Sequence, residues 1–197
     1  VVISSIRGID IKWYYVWVDK ILARFTDKIT TNVKVLKEFL IQKEGISSNK
    51  IKVIYNGIDL KRFIASRLAN EMRSEFNIPQ DALVVGMVAR LSRHKDHETF
   101  LLAARNILTK IQDNVYFIAV GYGPFEEQLR KKVLDWKLGD RIIFTGLRRD
   151  IPDLINMMDI CVLSTPHEGC PNVILEYMSF SKPVVASRVG GCPELVV

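Results

Sequence analysis

Apolar and polar positions along this chain follow two periods in turn, which predicts strands and helices in regular alternation. Short continuous apolar runs are typical of strands buried on both faces of a parallel sheet, and apolar positions three and four apart are typical of helices packed on it. The predicted strands are Val1–Ile6, Lys28–Thr31, Ile51–Tyr55, Leu83–Val88, Val115–Val120, Ile142–Thr145, Ile160–Leu163 and Pro183–Ala186. This order predicts an α/β fold with doubly wound parallel sheets, because right-handed crossovers place helices on both sheet faces.

Helices are predicted between these strands, with caps and breakers marking several of their ends. Asp96 can cap one helix, Pro124 suits the first position of another, and glycines follow two helix ends. The predicted helices are Lys12–Phe25, Val33–Glu44, Arg67–Phe76, one after Asp96 with the inner face Phe100, Ala104, Ile107 and Ile111, one from Pro124 to before Gly139, Ile151–Met157, and one that opens near Pro171.

The first predicted helix carries an aromatic and aliphatic stripe. Its members lie at helical spacing and are Trp13, Val16, Trp17, Ile21, Leu22 and Phe25. We interpret the stripe as a face packed in the core. A membrane-facing surface is the alternative, because Trp and Tyr beside Lys favour membrane interfaces.

The strand and helix pattern restarts after the Asn56-Gly57 turn, which predicts two domains. Residues 1–57 would be the tail of one Rossmann-like domain, and residues 58–197 most of a second. The chain opens inside an apolar run without an initiator Met and ends just after a glycine pair. We therefore expect it to be part of a longer protein.

Composition limits the class of protein. Apolar residues make up 48% of the chain, which is enough for a buried core, and no apolar run approaches the roughly 18 residues of a membrane span. Three cysteines and three histidines show no metal-ligand spacing, so we expect reduced thiols, a cytoplasmic location and no metal site. The net charge of +6 arises entirely within residues 1–80, which favours contact with an anionic surface. Nucleic-acid binding is disfavoured, because this charge lies outside the motif-bearing second domain.

The stretch from Cys161 to Val185 carries the candidate chemistry. Glu168 falls in the loop after a buried strand, and Glu176 falls in the helix that opens near Pro171. Gly169 and Cys170 lie where free N–H groups face out of a helix start, which suits a phosphate. The pattern predicts a nucleotide-sugar site with one glutamate for sugar hydroxyls and one for ribose hydroxyls. A loop-tip charge and a solvated helix position remain the alternative.

Two cations follow the strand Leu83–Val88. Arg90 and Lys95 can point into the same crevice and neutralise a diphosphate. No GxGxxG fingerprint follows this strand, which disfavours a dinucleotide oxidoreductase. Neither a Ser-His-Asp arrangement nor a P-loop is evident, which disfavours a hydrolase or an ATPase.

The ordered set of motifs resembles the retaining glycosyltransferases of family 4, also called glycosyl transferases group 1. The motifs are Asn-Gly-Ile-Asp at 56–59, GMVARLSRHKD at 86–96, VGYGP at 120–124, FTG at 144–146, EGCPNVILE at 168–176, KPVVAS at 182–187 and GGCPE at 190–194. The resemblance implies the GT-B architecture, in which two Rossmann-like domains face each other across a cleft. It implies that residues 1–57 are the end of the acceptor domain and residues 58–197 the donor domain, truncated at its end.

The resemblance also implies roles for individual residues. Arg90 and Lys95 would contact the donor diphosphate and Glu168 the transferred sugar. Glu176 would hold the ribose. The backbone of Gly169, Cys170, Pro171 and Asn172 would line sugar and phosphate, and Leu147 and Arg148 would meet the base.

The implied activity is metal-independent transfer of a sugar, with retention, from a nucleoside-diphosphate sugar to an acceptor. The default donor is a UDP-sugar, and the acceptor would be a sugar, a polysaccharide or a lipid-linked molecule in cell-surface polysaccharide, lipopolysaccharide or glycolipid synthesis. We expect peripheral contact with the cytoplasmic face of an anionic membrane, and no activity from this chain without the rest of the acceptor domain. A non-catalytic nucleotide-sugar-binding module and a nucleotide-sugar epimerase are the alternatives.

The chain departs from the usual family pattern at several positions. Cys170 and Asn172 line the implied donor pocket, which leaves the identity of the sugar open. Tyr177 replaces the usual Ala and Ser181 the usual Gly, changes that we expect to affect packing more than chemistry.

Overall fold

The computed structural model describes residues 1–7, 13–61, 63–110 and 114–196, with the side chains of residues 13–16 and 19 excepted. Its strands are β1 (Ile3–Ile6), β2 (Lys28–Thr31), β3 (Ile51–Val53), β4 (Leu83–Val88), β5 (Val115–Val120), β6 (Ile142–Phe144), β7 (Ile160–Leu163) and β8 (Val184–Ala186). Its helices are α1 (Trp13–Leu22), α2 (Lys34–Glu44), α3 (Ala69–Glu75), α4 (His97–Lys110), α5 (Glu126–Asp135), α6 (Ile151–Met157), α7 (Asn172–Ser179) and α8 (Cys192–Leu195).

These elements follow the predicted succession, with ends that differ by a few residues. The predicted helix residues Lys12 and Ile111, and the last residue of the second predicted domain, Val197, lie outside the described residues. Every paired strand is parallel, in a three-stranded sheet ordered β1-β2-β3 and a five-stranded sheet ordered β6-β5-β4-β7-β8. The predicted α/β class with parallel sheets is confirmed.

The chain divides into two compact units. The first unit contains Val1–Gly57, His167–Asn172 and Arg188–Val197. The second unit contains Ile58–Pro166 and Val173–Ser187. The first unit holds the three-stranded sheet and the second the five-stranded sheet. Their acceptor and donor roles stay predictions.

The core of the second unit lies around its central strands. The apolar positions of β4 and β5 are mostly buried, apart from the exposed Leu83 at the start of β4, as continuous apolar runs predict for strands covered on both faces. They pack with α3, α6 and α7, whose residues in this core are Met72, Leu154, Ile155, Met157 and Tyr177. On α4, Phe100 and Ala104 are buried as predicted. This packed centre fixes the strand ends from which the candidate site residues emerge.

The core-face interpretation of the aromatic stripe on α1 was wrong for the side chains that the structure describes. Trp17 is 63% exposed and Phe25 is 76% exposed, and Ile21 and Leu22 are also exposed. The side chains of Trp13 and Val16 lie outside the described residues. Helical spacing identifies which residues share a face, but it does not identify what covers that face.

Candidate functional site

The exit of β4 presents the two predicted cations. Arg90 lies two residues past the strand, is exposed, and forms no ion pair with any residue that the structure describes. Lys95 ends a 3₁₀ turn (Arg93–Lys95) and is half-buried. Both therefore emerge at the carboxyl end of a central strand, where open parallel sheets bind ligands.

The loop after β7 is fastened to the loop that carries Lys95. The Ser164 hydroxyl donates to the Asp96 carbonyl at 2.9 Å, and the Thr165 hydroxyl donates to the His94 carbonyl at 2.9 Å. Asp96 in turn caps α4, because its carboxylate accepts from the Thr99 N–H at 3.2 Å and from the Thr99 hydroxyl at 2.6 Å. The predicted cap is thus confirmed, and the turn before it is held in place from two sides.

Glu176 lies on α7, next to the wholly buried Tyr177. Burial raises the pKa of the Glu176 carboxyl group, and no described residue hydrogen-bonds to its carboxylate. The Tyr177 hydroxyl accepts a hydrogen bond of 2.8 Å from the N–H of Val88, the last residue of β4. Glu176 therefore sits at the same edge of the sheet from which Arg90 emerges.

The two residues predicted to meet a base have different surroundings. Leu147 is 66% exposed. The Arg148 guanidinium donates to Asp150 at 2.8 Å and to Glu75 at 2.8 Å, and it lies over the ring of Phe76. The pKa of Arg148 is raised, and the main cause is its hydrogen bonding to Asp150. Its guanidinium is thus already engaged by two carboxylates, and the base-binding role of both residues stays a prediction.

The predicted residues Glu168, Gly169, Cys170, Pro171 and Asn172 belong to the first unit. A Cβ on Gly190, whose φ is +51°, would lie 1.7 Å from the Glu168 carbonyl oxygen. A Cβ on Gly169 would lie 2.5 Å from the Arg7 carbonyl oxygen, and the Gly191 N–H donates to the Gly169 carbonyl at 2.8 Å. Glycine is required at these close approaches, and the backbone path of the loop is fixed by them.

Asn56 holds the far end of the same loop. Its side-chain amide donates to the Cys170 carbonyl at 3.3 Å and to Oδ1 of Asn172 at 2.8 Å. Burial raises the pKa of the Cys170 thiol, so it remains a neutral thiol at physiological pH. The N–H groups of Gly169 and Cys170 donate to no residue that the structure describes, which leaves them available to an anion.

Glu194 caps α2 within the first unit. Its carboxylate accepts from the N–H groups of Lys34 and Val35, each at 3.0 Å, and from the Tyr55 hydroxyl at 2.9 Å. Partial burial raises the pKa of Glu194, but these hydrogen bonds outweigh it and the pKa is lowered. Helix starts favour a negative charge because their first N–H groups lack partners.

Sequence reasoning did not assign roles to Asn56, Tyr177 and Glu194. Each lies in or directly beside a quoted motif, at 56–59, 168–176 or 190–194, and that position is the available signal. The structure divides the assigned residues between the units: Arg90, Lys95, Leu147, Arg148 and Glu176 lie in the second unit, and Glu168 to Asn172 lie in the first. Their convergence on one ligand stays a prediction.

A separate cavity of about 480 Å³ lies in the second unit. It is lined by the turn before α4, the first residues of α4 and α5, and Pro166, and by none of the predicted site residues. His97 is 2% exposed, and neither ring nitrogen hydrogen-bonds to a described residue. Burial lowers the pKa of His97 to about 4, with a smaller opposing effect of Asp96, so its ring is neutral at physiological pH.

Neither a metal centre nor a membrane span is found within the described ranges. No group of three or more His, Cys, Asp or Glu residues there could hold a metal ion, and metal independence of the reaction stays a prediction. None of the described helices has the length and hydropathy needed to cross a bilayer.

Comparison with protein families gives two matches that together cover most of the chain. Residues 82–197 match the family described as Glycosyl transferases group 1, and residues 4–62 match Glycosyltransferase Family 4. The first of these lies within the predicted donor domain, and the second covers most of the predicted acceptor domain and runs five residues past its end at residue 57.

Among individual relatives, an Escherichia coli UDP-Gal:α-D-GlcNAc-diphosphoundecaprenol α-1,3-galactosyltransferase is 30% identical over 95% of this chain and 49% of its own length. A Campylobacter jejuni N,N'-diacetylbacillosaminyl-diphospho-undecaprenol α-1,3-N-acetylgalactosaminyltransferase is 32% identical over 77% of this chain and 40% of its own. The chain thus spans about half the length, or less, of the curated relatives that it matches.

Solved structures agree with the fold. Anabaena HepE in complex with UDP has a TM-score of 0.88 and 28% identity, covering 99% of this chain and 55% of that one. HepE was also solved with UDP-glucose, with a TM-score of 0.85. The relatives are glycosyltransferases of polysaccharide and glycolipid synthesis, and the described fold matches the GT-B glycosyltransferases. The chain belongs to the group 1 glycosyltransferases of family 4.

Proposed function

We propose that the full-length protein transfers a sugar, with retention, from a nucleoside-diphosphate sugar to an acceptor, and that the second unit binds the nucleotide. A UDP-sugar is the default donor, because HepE binds UDP and UDP-glucose. Family membership and the position of Arg90 and Glu176 at one edge of the second unit's sheet support this proposal.

The observation that carries the proposal is the environment of Glu176. A half-buried carboxylate loses hydration, and this one gains no described hydrogen bond in return. A partly desolvated carboxylate without a protein partner favours a ligand that donates hydrogen bonds to it, because desolvation of a polar group is offset only by new hydrogen bonds. Two adjacent ribose hydroxyls would supply the missing donors.

Arg90 and Lys95 supply positive charge at the exit of β4. The departing diphosphate gains negative charge as the bond between the sugar and its oxygen breaks. A fixed guanidinium and ammonium stabilise that charge best in the transition state, which accelerates the reaction. We propose that these cations take the place of a divalent metal ion, and that transfer therefore persists in EDTA.

The loop from Glu168 to Asn172 is assigned to the transferred sugar. The Glu168 carboxylate would accept from sugar hydroxyls, and the N–H groups of Gly169 and Cys170 would donate to phosphate or sugar oxygens. The close approach at Gly190 and the Asn56 amide hold this loop in one conformation. A preformed loop lowers the entropic cost of binding the donor.

A calorimetric titration of the full-length protein with UDP, GDP and ADP tests nucleotide binding. We expect one diphosphate to bind clearly more tightly than the others, and Glu176→Gln to weaken it by about tenfold. Glu127→Gln is the matched control, since Glu127 is exposed on α5 and has no described partner. Equal affinity of wild type and Glu176→Gln would refute the ribose role.

A transfer assay separates the proposed reaction from its alternatives. A glycosyltransferase consumes the donor only when an acceptor is present and forms a new glycosidic bond with the donor's anomeric configuration, which NMR identifies. A binding module would leave the donor unchanged, and an epimerase would interconvert free donor sugars. Loss of transfer in EDTA, restored by a divalent ion, would refute metal independence.

We also propose a lipid-linked acceptor and contact with an anionic membrane. Two relatives are named for diphosphoundecaprenol-linked acceptors, and the net charge of +6 arises within residues 1–80. Trp17 and Phe25 are exposed near Lys20 and Arg24 in the chain. Apolar side chains beside cations favour an anionic interface.

Vesicle sedimentation of the full-length protein tests this contact. We expect more binding to anionic than to neutral vesicles, and a severalfold loss in the double variant Trp17→Ser and Phe25→Ser. Leu134→Ser is the control, because Leu134 is 76% exposed in the second unit. Equal binding to both kinds of vesicle would remove the electrostatic basis.

A further inference from the structure

The central sheet of the second unit is incomplete between β4 and β7. These strands pair only at Val85 with Ile160 and at Gly86 with Cys161, whereas β4 pairs with β5 along all of its length. In a parallel ladder of this register, the next bond would join the Val88 N–H to the Val162 carbonyl. The structure does not make that bond directly.

The Tyr177 hydroxyl occupies the place of the missing bond. It accepts from the Val88 N–H at 2.8 Å and lies 3.4 Å from the Val162 carbonyl, toward which it donates. Tyr177 is wholly buried, and burial raises the pKa of its hydroxyl well above the usual value, so the proton stays on the oxygen. The side chain of α7 thus reaches between two strands and bridges them.

This bridge lies where the chain order of the sheet reverses. From β4 the strands proceed through β5 to β6 on one side, and through β7 to β8 on the other. Loops leaving β4 and β7 diverge at such a point and open a crevice, which is where open α/β sheets bind ligands. The Tyr177 hydroxyl therefore links the two strands by hydrogen bonds at the floor of this crevice.

The same residue fixes the position of two assigned groups. Glu176 precedes Tyr177 on α7, so anchoring the Tyr177 hydroxyl fixes the part of the helix from which the Glu176 side chain projects. Arg90 follows Val88 by two residues, so the bond to the Val88 N–H also fixes the start of the Arg90 loop. One hydroxyl thereby relates the helix that carries Glu176 to the strand that carries Arg90.

We propose that Tyr177 is a positioning residue for nucleotide binding, acting through Glu176 because its hydroxyl ties α7 to the carboxyl ends of β4 and β7. This inference rests on the proposed function for the identity of the ligand. Tyr177 would thus have a role in nucleotide binding, in addition to the effect on packing that the sequence predicts.

The test is a double-mutant cycle in the full-length protein, with the dissociation constant of the preferred nucleoside diphosphate as readout. Tyr177→Phe keeps the ring and removes only the hydroxyl. We expect it to weaken binding by about tenfold in the wild-type background and by less than threefold in a Glu176→Gln background. Tyr116→Phe is the control, because Tyr116 lies on β5 and its hydroxyl makes no described hydrogen bond. We expect it to bind as wild type does.

Hydrogen exchange of the Val88 amide provides a second readout that needs no ligand. Because the Phe ring still separates the strands, Tyr177→Phe should leave this amide without a partner, and its protection should fall by tenfold or more. Unchanged protection would overturn the bridge. A lowered melting temperature with unchanged affinity, or equal losses in both backgrounds, would overturn the positioning role. Failure of wild type to bind any of the three diphosphates would instead refute the proposed function.

Discussion

Glu194→Ala is expected to destabilise the first unit by removing the cap of α2. The Glu194 carboxylate accepts from the Lys34 and Val35 N–H groups and from the Tyr55 hydroxyl. Loss of a helix cap costs about 0.5–2 kcal/mol, and hydrogen bonds to charged groups lie toward the upper end of the usual range. Glu194 is only partly buried, so water replaces some of what is lost. We therefore expect a decrease of about 1–2 kcal/mol in the free energy of unfolding.

Chemical denaturation of the full-length protein measures this decrease, and hydrogen exchange at Lys34 and Val35 localises it. Glu38→Ala is the matched control, since Glu38 is exposed on α2 and has no described partner. It should change the stability by less than about 0.5 kcal/mol. If Glu194→Ala is as stable as this control and the two amides keep their protection, the capping argument is refuted.

The pH dependence of the same variant gives an independent check. The folded-state pKa of Glu194 is lowered from its ordinary value of 4.5, so the unfolded chain binds the proton more readily. The contribution of this carboxylate is therefore fully present above pH 4.5 and is lost as the pH falls below it. The difference between wild type and Glu194→Ala should shrink over that range. A difference that grows with acid would contradict the sign.

Three further changes have definite expected outcomes. In steady-state assays, Arg90→Ala should lower kcat by about 10²–10³, by analogy with loss of an oxyanion donor. Arg93→Ala removes an exposed cation from the next turn and should leave kcat within severalfold of the wild-type value. His97 is held neutral, because its pKa is about 4 instead of the ordinary 6.5. Wild type should therefore lose up to about 3 kcal/mol of stability as the pH falls from 6.5 to 4. In acid denaturation, His97→Phe should flatten that part of the stability profile. Ser181 lies just past the end of α7 with a φ of 54°, a backbone conformation that is strained for any residue but glycine. Ser181→Gly should therefore raise the stability by about 1 kcal/mol in thermal unfolding. A decrease in stability would contradict the strain at this position.

The hydrophobic pattern predicted the fold well because strand burial is a local property. Continuous apolar runs at β4 and β5 can be satisfied only by a sheet covered on both faces. The pattern did worse where the environment is not local. Trp17 on α1 and Phe25, three residues past the end of α1, share the spacing of a core helix, yet both are exposed. The spacing of apolar residues along a helix does not show whether another segment packs on the face that they share.

The candidate site could also be predicted only in part from the sequence. Arg90 could be proposed because it follows a strand end, and Glu176 because its helix follows the loop after another strand of the same parallel sheet. The cap of α2 could not be assigned, since Glu194 lies 160 residues from Lys34 and nothing in either motif links them. The bridge made by Tyr177 was equally hidden, because it depends on a ladder bond that is absent. A sequence shows which residues could form hydrogen bonds, but it does not show which backbone hydrogen bonds the folded sheet leaves unmade.

Glu176 and Glu194 show how structure separates residues that look alike in a sequence. Each lies in a quoted motif on a short helix, and each could be given the same binding role. Glu194 accepts three hydrogen bonds and its pKa falls, so its carboxylate is already satisfied by the protein. Glu176 has no described partner and its pKa rises, so its carboxylate remains able to accept hydrogen bonds from another molecule. The carboxylate whose hydrogen bonds the protein leaves unmade is the one that we propose binds the ligand.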